Sequence, residues 1–131
     1  MKETTMFKRI DHVEIIPADY ERTMVFYTGV LAFKVKSRIP LDAPPLEEIA
    51  YLTLGDTMME LIKITSPAPP AAGMPVGYRG IALEVEDMDR AVEYLTGKGV
   101  PITWGPMDLG DSLRAEIQDP DGLVIELRYW K

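Results

Sequence analysis

The chain has 131 residues, 47% of them hydrophobic and 27% charged, which suits one ordinary folded domain or two half-size units sharing a core. With no cysteine, neither a disulfide framework nor a thiolate metal site can form. A net charge of −7 lacks the basic footprint that nucleic acid requires, and no apolar run is long enough to span a membrane. The opening Met1-Lys2-Glu3-Thr4-Thr5 has no signal-peptide apolar core, so the cytoplasm is the expected compartment. An acidic surface also favours cationic ligands, divalent metals among them, beside its ordinary role in solubility.

Phe7 to Ile16 is the first strand candidate. Its alternation puts Ile10, His12, Glu14 and Ile16 on one face and Asp11, Val13 and Ile15 on the other. Asp19 after Pro17-Ala18 is an N-cap signal, and Tyr20 to about Thr28 suits a short amphipathic helix stopped at Gly29. Phe33 to Arg38 reads as a strand. Pro40 to Pro45, with three prolines in six residues, reads as a loop. Ile49–Leu54 and Thr57–Ile64 form a hairpin across Gly55-Asp56, with Glu60 inside its second strand. The stretch from Ser66 to Gly77, dense in proline, glycine and alanine, reads as a linker.

The pattern then restarts. Tyr78 to Val85 is a strand, and Glu86-Asp87-Met88-Asp89 opens a helix whose buried stripe is Ala91, Val92, Tyr94 and Leu95, with Gly97 as its stop. Val100 to Trp104 reads as a strand, Gly105 to Asp111 as a loop, and Arg114 to Gln118 as a strand. Asp119-Pro120-Asp121-Gly122 is a strong turn into the strand Leu123 to Tyr129. In that last strand Val124, Glu126 and Arg128 stand on one face and Leu123, Ile125, Leu127 and Tyr129 on the other, a core face.

At a shift of 68 positions Asp19 falls on Asp87, Arg22 on Arg90, Phe26 on Tyr94 and Gly29 on Gly97; at a shift of 66, Glu60 falls on Glu126. A duplicated β-α-β-β-β unit follows, an α+β fold in which two tandem modules (6–65 and 78–130, joined by 66–77) curl into a shared trough with the helices outside. Equivalent positions then face each other across it: Glu60 with Glu126, and His12 with Gly80. One imidazole and two carboxylates make good ligands for a hard or borderline divalent ion.

Ile10-Asp11-His12-Val13, residues 24–31 (MVFYTGVL), Met59-Glu60-Leu61, residues 80–85 (GIALEV), Asp119-Pro120-Asp121-Gly122 and Ile125-Glu126-Leu127 together resemble the vicinal oxygen chelate superfamily over about residues 6–130. That superfamily includes glyoxalase I, methylmalonyl-CoA epimerase, fosfomycin resistance proteins, extradiol dioxygenases and bleomycin resistance proteins. The resemblance implies a divalent metal ion (Zn, Ni, Co, Mn or Fe) held by His12, Glu60 and Glu126, with Gly80 in place of the usual fourth ligand; strand alternation puts Glu84 on the face of Gly80 and Ala82 and makes it the candidate substitute. Glu14 would support His12 from its own face. Glu60 and Glu126 would be the catalytic carboxylates of a lyase or isomerase that moves a proton on a substrate with neighbouring oxygens. A dioxygenase is disfavoured, since one histidine cannot supply a two-His, one-carboxylate set.

Arg114, Arg128, Met58 and Trp104 are the candidates for substrate contact, each with an ordinary alternative as solvated arginine, core filler or strand-end aromatic. The family often dimerises, so a homodimer binding a small molecule is expected, with no nucleic-acid or membrane partner. The rival reading is a metal-free protein of the bleomycin-resistance type that sequesters a drug-like ligand, and Gly80 is its best evidence.

Overall fold

The computed structural model describes residues 6–131; Met1–Thr5, read above for a signal peptide, lie outside the described residues. The elements are β1 (Val13–Ile15), α1 (Tyr20–Val25) running into a π-helical turn (Phe26–Val30), β2 (Lys34–Ala43), β3 (Leu46–Leu54), β4 (Thr57–Ile64), β5 (Gly80–Glu84), α2 (Met88–Gly97), β6 (Trp104–Asp108), β7 (Ser112–Gln118) and β8 (Val124–Trp130). The β-α-β-β-β order thus occurs twice. The chain divides into two units, one ending at Pro67 and the other running from Ala68 to Lys131.

Each unit has one mixed four-stranded sheet, ordered β1-β4-β3-β2 in the first and β5-β8-β7-β6 in the second. In both, the strand before the helix lies parallel to the last strand, and the other neighbours are antiparallel. Parallel neighbours need a long crossover, and the helix supplies it. Period-two alternation then sorts the side chains. In the first unit Ala50, Leu52, Met59 and Leu61 are buried with Tyr20, Met24, Tyr27 and Phe33. In the second, Ala115, Ile117, Ile125 and Leu127 are buried, as are Met88 and Leu95 of the helix. Removing each large apolar side chain from water is worth roughly 2 kcal/mol.

The helix starts follow their capping chemistry. Asp19 accepts from the Arg22 amide at 3.0 Å and Asp87 from the Arg90 amide at 3.1 Å. The turn before β8 closes around Asp119, whose Oδ1 accepts from the amides of Asp121 and Leu123, both at 2.9 Å, while Gly122 takes φ +84°.

Several expected boundaries differ. The strand expected over Phe7–Ile16 is only Val13–Ile15, because its one partner, β4, pairs with just those three residues. The first helix gives way at Phe26 rather than running to Thr28; there the Thr28 hydroxyl donates to the Met24 carbonyl at 2.7 Å and competes for the helical bond. The expected loop Pro40–Pro45 is mostly strand. β2 is an edge strand, where a missing proline amide costs no ladder bond on the open side. Likewise β6 occupies Trp104–Asp108, where a loop was expected from Gly105. It tolerates Pro106 because it is also an edge strand, and Gly105 takes φ +74° at its register shift. Helix α2 runs through Gly97 and ends with Gly99 at φ +77°, and Tyr94 lies exposed under Lys98 instead of in the buried stripe.

At the start of β5, Gly80 pairs with Val124 so closely that a Cβ there would stand 2.1 Å from the Val124 carbonyl oxygen and 2.9 Å from its carbon. Backbone cannot yield as a flexible side chain would, so Gly80→Ala is expected to destabilise the chain by about 2–3 kcal/mol in denaturant titration. Asp19→Ala and Asp87→Ala should each cost about 1 kcal/mol in the same experiment, since each leaves a helix amide without its cap.

Candidate metal centre

His12 stands just before β1, and its ring is held from both sides. Nδ1 lies 2.8 Å from Asp11 Oδ2, so the ring donates there and turns Nε2 the other way. Nε2 is 3.3 Å from Glu14 Oε2 and 3.4 Å from Glu60 Oε1. Two ligand atoms about 2.1 Å from a common ion at a tetrahedral angle are themselves about 3.4 Å apart. Donor atoms of His12, Glu14 and Glu60 all lie within 4.8 Å of one another, so the group can hold a metal ion. The donor set, one imidazole nitrogen and carboxylate oxygens, suits the borderline and hard divalent ions.

Strand geometry explains the convergence. Glu14 and Glu60 are register partners on the parallel strands β1 and β4. Adjacent strands lie about 4.8 Å apart, so partners on one face bring their carboxylates together. Glu60 is 8% exposed although charged, and it sits between the core residues Met59 and Leu61 on the opposite face. Directly across the antiparallel pair from Glu60 is Tyr51, and the neighbouring Glu60 carboxylate is the main reason its phenol pKa is raised. The Tyr51 ring also meets the His12 ring edge-on, at 5.9 Å between centroids and 89°. The surrounding acids raise the imidazole pKa, the Asp11 hydrogen bond first.

The second unit carries a different arrangement at the corresponding face. Glu126 on β8 is bracketed by arginines: Oε1 is 2.7 Å from Arg114 Nε, and Oε2 is 3.0 Å from Arg128 Nη2. Arg114 continues to Glu116 at 2.6 Å, and Arg79 reaches the same carboxylate at 3.2 Å. Arg128 donates to the Ser112 hydroxyl at 3.2 Å. The guanidinium of Arg114 lies over the Trp104 ring at 4.8 Å and that of Arg128 over Trp130 at 5.0 Å. Both arginines are mostly buried, so the pairs are far less screened than surface ones. Gly80 starts β5 with no room for a side chain, and Glu84, two pairs further along the same face, is exposed. Met58 is half-buried on the face of β4 that carries Glu60.

Of the residues singled out from the sequence, His12 and Glu60 are therefore brought together within the first unit, while Glu126, Arg114, Arg128 and Trp104 form one ion-paired and stacked group within the second. Asp11, Tyr51, Glu116 and Arg79 escaped the sequence reading. Tyr51 was accessible to it, because a hairpin closed at Leu54 and Thr57 pairs Tyr51 with Glu60 by counting back. Asp11 was assigned to the face opposite His12 on the assumption of a regular strand, and the chain is irregular at both residues.

Residues 9–127 match the glyoxalase/bleomycin resistance protein/dioxygenase superfamily. The chain is 30% identical over 122 residues to the uncharacterized protein YaeR of Escherichia coli, covering 92% of this chain and 95% of that one. It is also 30% identical over 123 residues to the lactoylglutathione lyase of Salmonella typhimurium, covering 91% and 90%. Among solved structures, the glyoxalase family protein from Enterococcus faecalis superposes with a TM-score of 0.78 at 28% identity, over 95% of this chain and 99% of that one. By its sequence match and its twice-used β-α-β-β-β fold, the chain belongs to the glyoxalase/bleomycin resistance protein/dioxygenase superfamily.

Proposed function

We propose that the protein is a divalent-metal-dependent lyase or isomerase acting on a small substrate with neighbouring oxygens. The observation that carries this reading is His12, whose Nδ1 is occupied by Asp11 and whose Nε2 is thereby presented to Glu60. A carboxylate–histidine pair of this kind fixes the tautomer that a metal ligand needs. A bound divalent ion supplies Lewis-acid stabilisation of the negative charge that develops on substrate oxygen when a neighbouring C–H proton leaves.

The chain's own groups do the rest. His12 Nε2 and Glu60 would hold the ion, and Glu60 would also take the substrate proton as a carboxylate and return it as a carboxylic acid to the adjacent carbon. Tyr51, the register partner of Glu60, would keep that carboxylate aimed. In this reading Glu126, held by Arg114 and Arg128, is a second catalytic carboxylate, and Arg114, Arg128, Met58 and Trp104 are substrate contacts. The likeness in sequence to the Salmonella typhimurium lactoylglutathione lyase supports a lyase of that kind. A second reading, metal-free sequestration of a small ligand, draws on Gly80, where the backbone excludes a ligand side chain.

Metal analysis of protein purified without chelator separates the two. About one ion per chain is expected, and His12→Ala should lose it. Turnover of a lactoylglutathione lyase or epimerase substrate should fall about 10²–10⁴-fold in Glu60→Gln. Absence of any ion, with no thermal stabilisation by Zn²⁺, Ni²⁺, Co²⁺, Mn²⁺ or Fe²⁺, would overturn the enzyme reading in favour of sequestration.

A further inference from the structure

We infer that the third protein ligand of the metal is Glu14, so that the ion is held entirely by the first unit, through His12, Glu14 and Glu60. The inference rests on the metal-dependent reading above and specifies its ligand set. Two kinds of observation carry it, one from each unit.

In the first unit, three donors of suitable chemistry already converge. Glu14 Oε2 is as close to His12 Nε2 as the Glu60 carboxylate is, at 3.3 Å against 3.4 Å. Register pairing of Glu14 with Glu60 holds both carboxylates on one face. A neutral imidazole and two carboxylates carry a charge of −2, which balances a divalent ion. Glu14 is also the most open of the three, its side chain 59% exposed against 23% for His12 and 10% for Glu60, so it can adjust to an ion at little packing cost. Asp11 and Tyr51 act as positioning residues, the first through Nδ1 and the second through its phenol and ring edge.

In the second unit, the equivalent positions offer no free donor. Gly80 has no space for even a Cβ. Both oxygens of Glu126 are engaged by guanidinium groups at 2.7 and 3.0 Å. Charge that a metal would otherwise supply is already supplied there by Arg114 and Arg128, and recruiting Glu126 to an ion would leave two mostly buried guanidinium groups short of a partner.

The test is calorimetric titration of the metal-free protein with Zn²⁺ and Ni²⁺, with melting of each metal-free variant to confirm folding. Glu14→Gln is expected to weaken binding at least about 10-fold, and Tyr51→Phe about 10-fold. Glu126→Gln should leave the affinity within about threefold, a factor worth less than about 0.7 kcal/mol. If Glu126→Gln does not fold, Arg114→Gln keeps the contrast: release of Glu126 from its shortest bond leaves the affinity unchanged if Glu14 is the ligand and tightens it if Glu126 is. Equal binding by wild type and Glu14→Gln, or a loss of binding in folded Glu126→Gln, overturns this inference alone. Wild-type protein that binds neither ion overturns it together with the metal reading.

Discussion

Parallel pairing of the first strand with the last is the constraint on which each unit depends. Because β1 lies beside β4 and β5 beside β8, residues 46 and 44 positions apart become register partners. That pairing requires a crossover, so the helix must sit between the first strand and the hairpin strands, and its apolar stripe covers one face of the sheet. The opposite face is left to polar side chains. Glu14 meets Glu60 for this reason, and Ala82 meets Glu126 for the same reason. A one-residue slip would exchange Glu60 for Leu61 and put a carboxylate into the core, so the apolar face enforces the register that builds the polar one.

The two units answer the same electrostatic problem in different ways. Each places a glutamate in the middle of its last strand, between core residues, where an uncompensated charge is costly. Around Glu60 the available partners are an imidazole and a phenol, which stabilise the carboxylate only in part and suit a site completed by a cation. Around Glu126 the partners are two guanidinium groups, which complete the charge balance within the protein. Arginine is suited to this, since its planar fork can serve two carboxylates at once, as Arg114 does for Glu116 and Glu126. The tryptophans beneath both guanidinium groups hold them in place. Duplication thus preserved the strand scaffold and the glutamate while the surroundings of that glutamate diverged.

Much of this could be read from residue order because it follows from local rules. The helix caps Asp19 and Asp87, the turn built on Asp119, the hairpin across Gly55-Asp56 and the alternation that sets Glu60 and Glu126 apart from the core are consequences of backbone geometry and side-chain chemistry within a few residues. Duplication of the unit, and with it the membership of the family, was legible for the same reason. Local rules failed at the sheet edges. The stretches Pro40–Pro45 and Gly105–Asp111 read as loops, yet Pro40 and Pro106 lie in edge strands, a position that only the strand order reveals.

By itself, then, the sequence determined the repeated β-α-β-β-β order, the core faces, and His12 and Glu60 as side chains bound for a common face. Tertiary structure alone decided which groups surround them. Which neighbour compensates a charge depends on separations of a few ångströms, often between residues remote in the chain: Glu60 beside His12, Arg114 beside Glu126, and a backbone approach at Val124 that leaves position 80 no side chain. Coulomb energies and steric contacts change steeply over such distances, whereas strand periodicity fixes only the face on which a residue stands.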